Sequence, residues 1–288
     1  MTKVLKVTVL GYPAVYFDQT AVSLSAKSTA LLAYLLVEDR EHSRQALASL
    51  LWGEVSDADA RRNLRGEILR LRRAVGDCIC GGSQTAVFQP PTPFRTDLQT
   101  FTTGAHSQDP RLMQAALDQY RGEFLQELTV RHAPDFDHWL QQQRTRFQQT
   151  AVSLYSRLTH HQLEQGDWHG GLQNVRRWLT LDPLNETAHR RYMRLLTHDA
   201  QRTAALAHYE NLADLLQAEL QIDPAPETTA LADQIRAGSL SPKQTAALQP
   251  LKPSSAAQAA INKTAFPFMV GSPQTHPTTN VGHQREKR

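Results

Sequence analysis

Cysteine is nearly absent from the 288 residues: Cys78 and Cys80 cannot make a disulfide framework, and their two-residue separation does not by itself supply a four-ligand zinc site. Both are expected to be reduced strand residues. No run approaches the ~20 apolar residues that a bilayer-crossing helix needs. No continuous apolar core follows the first lysines, as a secretory signal would require. A soluble, cytoplasmic chain with no membrane partner is expected. Also missing are a GxxxxGK[ST] phosphate loop, a GxGxxG turn after a strand, a GxSxG elbow and an HExxH pair. Nucleotide hydrolysis, dinucleotide redox chemistry, typical serine hydrolysis and zinc-hydroxide chemistry therefore lack their usual signatures, and the chain is not expected to be an enzyme. The twelve histidines include the pair His160 and His161, but no clustered Cys/His set accompanies them, so solvated helix positions are expected and no metal or cofactor is assigned.

What is present is unevenly distributed. Lys and Arg against Asp and Glu give 12 − 10 = +2 for residues 1–97, 13 − 17 = −4 for 98–238 and 6 − 1 = +5 for 239–288, so the total of +3 conceals an acidic middle. A hydrophobic content of 40% is compatible with folded cores, and the length suits about two domains.

Arginine is concentrated in DADARRNLRGEILRLRRAVGD, residues 57–77, which holds six of them among four carboxylates. At about 100° per residue, Ala60, Leu64, Ile68, Leu71 and Val75 share one narrow sector, so the segment reads as an amphipathic helix lying on a core. Ser56 with Asp59 makes a capping box at its start and Gly76 a stop, giving a helix over 57–75. Arg62, Arg65, Leu69 and Arg73 stand opposite the ladder, flanked by Asn63 and Arg70 on one side and by Arg61 and Arg72 on the other. Guanidinium and carboxamide groups fit guanine and adenine edges, and an apolar side chain among them can touch a thymine methyl. An ordinary solvated helix face, with Arg as a good helix former balanced by Asp and Glu, has the same composition.

The neighbouring elements decide between these readings. KVLKVTVLG, AVYF and AVSL read as short strands, KSTALLAYLLVED as a mostly buried helix, and SRQALASLLW as a second helix capped by Ser43. CICGGSQTAVF places a Gly81-Gly82 turn between two β-prone runs. Strands, three helices and a hairpin make a winged helix-turn-helix plan, in which the third helix is offered to the DNA major groove. Arg62, Asn63, Arg65, Leu69, Arg70 and Arg73 are then the base-facing candidates. Lys27, Arg40, Ser43, Arg44, Arg61 and Arg72 are the candidates for phosphate, with ordinary loop and cap chemistry as the competing role for Lys27, Arg40, Ser43 and Arg44.

LGYPAVYF, KSTALLAYLLVEDREHSRQALASLLWGE and ARRNLRGEILRLRRAVGD resemble the amino-terminal domain of the Streptomyces antibiotic regulatory protein family. That domain is similar to the winged helix of OmpR-type regulators without their phosphoacceptor receiver. The resemblance covers most of residues 4–97, and Leu51-Trp52 followed by Ala60 to Asp77 is its most distinctive part. TAVFQPPTPF departs from the Gly-Tyr-x-Leu strand that usually follows the family's hairpin turn.

From about 108 to 237 the apolar spacing is helical, and LDPLNET at 181–187 returns as IDPAPET at 222–228, 41 residues on. Asp before Pro is a start signal for a helix, and the spacing exceeds a tetratricopeptide unit, so stacked helical hairpins with an extended helix in the second copy are expected. YRGEFL, GDWHGGLQNVRRWLTLDPLNETAHRRYMRLL and ALAHYENLADLLQAELQIDPAPET resemble the family's bacterial transcriptional activator domain. This implies self-association, possible homodimers, and recruitment of RNA polymerase. Trp139, Trp168, Trp178, Tyr192 and Tyr209 are expected to pack between helices. Residues 239–288, with six prolines, no Trp or Tyr and Glu286 as their single acid, read as a disordered tail. Within it AFPFMVG, at 265–271, resembles the opening of signal-transduction ATPase modules and is read as a poorly ordered apolar segment.

The expected fold is mainly α with small β elements: a winged helix-turn-helix domain over 1–100, a tetratricopeptide-like all-α domain over 105–237 and the tail from 238. The expected function is transcription regulation, an activator on double-stranded promoter DNA. A helical-repeat adaptor whose winged helix binds a protein instead is the alternative, and loss of duplex affinity with rising salt discriminates the two. Removing Arg62 or Arg65 is expected to relax preference at one base position, whereas removing Arg44 weakens every sequence alike. All three are expected to be exposed.

Overall fold

The computed structural model describes residues 4–90 and 93–240. The expectations for the tail and for AFPFMVG lie outside these residues. Leu5 and Val7 are buried while Lys6 between them is exposed, the alternation of a strand covered on one face (β1, Leu5–Thr8). It pairs antiparallel with β2 (Ala14–Phe17), which pairs with β3 (Thr20–Val22).

Three helices follow: α1 (Ala26–Glu38), α2 (Arg44–Trp52) and α3 (Asp57–Val75), with the two-residue strand β4 (His42–Ser43) before α2. The strands β5 (Ile79–Cys80) and β6 (Thr85–Phe88) form the hairpin, and β6 also pairs with β4, so the wing is a three-stranded sheet in the order β4-β6-β5. Gly81 turns it at φ +121°. A Cβ there would stand 2.6 Å from the Thr85 carbonyl oxygen, so no other residue fits without moving the strand. The chain then returns to the first sheet as β7 (Phe94–Thr96), parallel to β1. This is a winged helix-turn-helix, and Phe88 at the end of β6 meets Phe94 of β7 edge-on at 4.9 Å.

Seven helices complete the described chain: α4 (Asp97–His106), α5 (Pro110–Gln119), α6 (Pro134–Gln165), α7 (Trp168–Leu181), α8 (Glu186–His198), α9 (Arg202–Leu220) and α10 (Pro226–Ala237). Successive members pack as hairpins, and α9 has 19 residues against 14 in α7, the extension expected from the repeat spacing. The helix starts differ from expectation. Asp182 is the residue that ends α7, and Asn185, three residues later, caps α8 by accepting from the Ala188 amide at 3.1 Å. In the second copy Pro226, not Pro224, opens α10, and no side chain of its own caps it. The Asp-Pro pairs therefore form the turns, and the copies interlock instead. Glu186 of the first accepts from the Ala225 amide at 2.9 Å and from the Thr228 hydroxyl at 2.6 Å, placing a carboxylate at the positive end of α10.

The five expected packing aromatics do pack, but in two ways. Trp178 is fully buried among the helices, whereas Trp139 joins the two halves of the chain. Its indole donates to Glu38 at 2.9 Å and its ring meets Tyr34 of α1, which in turn meets His42. Nearby, the buried Asp97 at the start of α4 accepts from the Val9 and Leu10 amides, both at 2.8 Å. Burial pushes its carboxyl up, against four hydrogen bonds that favour the ionised form. One continuous core thus runs from Leu5 to Ile235.

The histidines also depart from the solvated positions expected of them. His42 and His189 are buried, and His160 is half-buried with Nδ1 unpartnered. His189 stacks on His208 with Nδ1 and Nε2 2.8 Å apart, and its own Nε2 lies 2.8 Å from the Pro183 carbonyl.

Candidate nucleic-acid interface

The third helix spans 57–75 as its periodicity predicts, and all five ladder residues are buried. Ser56 caps it by accepting from the Asp59 amide at 3.3 Å, while Asp57 and Asp59 in the first turn and Arg72 and Arg73 in the last suit the helix dipole. The capping box is only half made. Asp59 is too short to reach back to the Ser56 amide, and its carboxylate accepts from the Ser56 hydroxyl at 2.7 Å.

The predicted base-facing residues emerge on one side. Arg62, Arg65, Leu69, Arg70 and Arg73 are exposed and Asn63 is half-buried. Their guanidinium groups are not equally free. Arg62 pairs with Asp59 at 2.6 Å and Arg70 with Glu67, whereas Arg65 and Arg73 make no hydrogen bond or ion pair among the described residues. Leu69, at 48% exposure, stands in water among them, a position whose apolar surface gains nothing within this chain.

The residues predicted for phosphate divide as well. Arg44, half-buried rather than exposed, donates Nε to the Thr85 carbonyl at 3.0 Å, and its amide donates to Gln84 at 2.8 Å, so the start of α2 is tied to the wing. Ser43 is exposed and caps α2 as expected, accepting from the Ala46 amide at 3.1 Å. Arg61 donates to Gln45 at 3.3 Å. Arg44, Gln45, Asp57, Arg61, Arg65 and Gln84 border a groove of about 540 Å³ where α2, α3 and the wing turn meet. Three cations face one carboxylate there.

Lys27, Arg40 and Arg72 are drawn elsewhere. The Lys27 ammonium donates to the Leu51 carbonyl and lies 5.1 Å from the Trp52 ring centre, and burial pulls its pKa down. Arg72 clasps the Ile79 carbonyl with two donors at 3.2 and 2.7 Å, holding β5 against α3. Arg40 lies 3.6 Å from Glu38, beside the Trp139 contact.

Sequence reasoning missed Glu67. It is the one α3 carboxylate that is buried, and it accepts from Ser25 at 3.1 Å, from Ser28 and from Arg70. Ser25 caps α1, so Glu67 puts a negative charge at the positive end of that helix and fixes the rotation of α3. The only sequence signal was a Glu on the flank of the ladder, one residue before Ile68.

Residues 95–236 match the Bacterial transcriptional activator domain family. No curated protein sequence matches the chain. Among solved structures it is similar to Mycobacterium tuberculosis EmbR, determined in complex with a low-affinity phosphopeptide. The TM-score is 0.63 at 20% sequence identity, over 91% of this chain and 70% of that one. That likeness is one of fold, and it spans the winged helix and the helical repeats together. Residues 95–236 of this chain are a bacterial transcriptional activator domain.

Proposed function

We propose that this chain is a promoter-binding transcription regulator of the Streptomyces antibiotic regulatory type, whose OmpR-like winged helix lays α3 in the major groove and whose activator domain recruits RNA polymerase. The observation that carries the reading is the exposed side of α3. Arg65 and Arg73 carry open donor forks beside Leu69, directly opposite a fully buried ladder. An unpaired guanidinium next to an exposed leucine gains little from water alone, and gains a bidentate partner and a methyl contact on base edges.

Arg65 and Arg73 are the base readers, with Arg62 and Arg70 available once they release Asp59 and Glu67, and Asn63 at the flank. Arg61, Arg44 and the start of α2 at Ser43 meet the phosphates across the groove. Lys27 and Arg72 keep the winged helix together, and Arg40 stands beside Glu38 at the contact with Trp139. Trp139 and Asp97 fix the activator domain against the reader, so the face that meets polymerase is set in orientation when α3 docks.

Random-fragment selection by the full chain, followed by sequencing of the retained duplexes, tests this reading. Enrichment of one motif, with affinity falling steeply as salt rises, is expected. Retention of no duplex by a folded sample would overturn it and leave the winged helix as a protein-binding surface.

A further inference from the structure

A second cavity, of about 520 Å³, lies between α5, α6 and α7, bounded by Asp118, Tyr120, Arg121, Tyr155, Arg177 and Leu181. Its volume is that of a small-molecule site. Two phenols and two leucines make the walls. Tyr155 is buried, Tyr120 is half-buried against Phe101 with ring centres 5.6 Å apart, and burial holds both hydroxyls neutral, pushing Tyr120 up to about 12.

Charge is confined to the mouth. The Arg121 side chain has no hydrogen bond or ion pair among the described residues, and it is exposed. Arg177 touches the Tyr155 phenol, but its nearest carboxylate, Asp118, is 3.7 Å away and half exposed, too far for a hydrogen bond. Two guanidinium groups against one carboxylate leave a single positive charge over an apolar, ring-walled floor.

We propose that this cavity binds a small organic monocarboxylate with a flat apolar body. The guanidinium forks select a planar carboxylate. The phenol faces and leucines select a ring over a flexible chain. One wall of the cavity, Tyr120 to Gly122, is also the joint to the winged helix. The Arg121 amide donates to Leu10 at 3.1 Å, and Gly11 donates to Glu123 at 3.1 Å. The two backbones lie side by side: a Cβ on Gly122 would stand 3.4 Å from the Gly11 Cα, at van der Waals contact. Occupancy therefore stiffens the segment through which the two halves of the chain are hydrogen-bonded.

The test uses the full chain with benzoate, phenylacetate and indole-3-acetate as probes, each against its uncharged primary amide. Binding is followed by calorimetry and by hydrogen exchange. At least one acid is expected to bind while its amide does not, and to slow exchange at residues 9–11 and 118–126. Arg121→Gln and Arg177→Gln, both at exposed positions, are each expected to weaken it about tenfold or more, the loss of a charge-assisted hydrogen bond. Thr180→Trp, which fills the mouth without changing charge, is expected to abolish it. Failure of all three acids to bind, equal binding to the double Arg121→Gln, Arg177→Gln variant, or binding that survives Thr180→Trp would overturn the site. None of these readouts depends on DNA, so their failure leaves the reading of α3 untouched.

Discussion

Two arginines on α3, Arg65 and Arg73, and three in the activator domain, Arg144, Arg157 and Arg191, have opposite fates. On α3, Arg65 and Arg73 find no partner among the described residues, and Arg62 pairs only with the half-buried Asp59. In the activator domain Arg144 donates to the Phe124 and Leu125 carbonyls, both at 3.1 Å, and pairs with Glu123 at 3.2 Å. Arg157 closes the end of α4 by donating to Ala105 and Ser107. Arg191 is fully buried, donates to the Ser156 carbonyl at 3.2 Å, and is pulled down to about 10 by desolvation. Arginine count alone is therefore no signal for nucleic acid. A brace is a guanidinium drawn inward onto the chain's own carbonyls and carboxylates, even where, as in Arg191, Nε and Nη2 are left without a partner, whereas a reader keeps its donors open to solvent.

Breaking a brace gives the largest expected effect. Arg144→Ala leaves the buried Phe124 carbonyl without its donor, takes from the Leu125 carbonyl one of two donors, the other being the Leu128 amide at 3.0 Å, and frees Glu123, so about 2–4 kcal/mol of stability should be lost, measured by urea unfolding. The contrast weakens if the loss is no larger than for an exposed arginine.

Next comes Arg65→Ala, expected to cost about 1–3 kcal/mol on a selected duplex while stability stays within about 0.5 kcal/mol. Arg62→Ala should cost less, because its ion pair with Asp59 must first be given up.

A smaller effect belongs to the stacked histidines. Burial and the neighbouring His189 hold His208 down to about 4, below the ordinary 6.5. Between those values the unfolded chain binds the proton and the folded chain does not, so stability is present above about pH 6.5 and falls as the pH drops toward 4. Discounted for partial exposure, the loss at pH 5 is on the order of 1 kcal/mol. His208→Gln should flatten the profile of melting temperature between pH 7 and 5, and an unchanged slope would remove this pair as its source.

The smallest effect is that of Arg44→Ala. It should weaken selected and scrambled duplexes alike and lower the salt slope by about one contact. Loss confined to the selected duplex would make Arg44 a reader.

Much of this was legible in the sequence, and what was not has a common cause. The bounds of α3, its buried ladder and the caps Ser43, Ser56 and Gly76 are local features, set by periodicity and by short-range hydrogen bonds. The wing was legible from Gly81-Gly82. Glu67, Lys27 and Arg72 were not, because their partners Ser25, Leu51 and Ile79 are brought to them by packing and not by spacing along one helix. The Asp-Pro starts misled for a related reason. Asp182 takes the Asn185 side chain at 2.8 Å inside the turn, so the residue with the cap's chemistry is not the one at the helix start. Asp97 and Trp139 hold the two halves together over separations no motif records.

The central claim is that the open arginines of α3 read bases. It is tested most directly by the affinity of wild type, Arg65→Ala and Arg73→Ala for selected and scrambled duplexes across a salt series, with folding checked by circular dichroism. Each variant is predicted to lose about 1–3 kcal/mol on the selected duplex, to relax preference at one position and to change little on the scrambled one. Intact discrimination in both folded variants would contradict the claim and make that face of α3 a solvated surface.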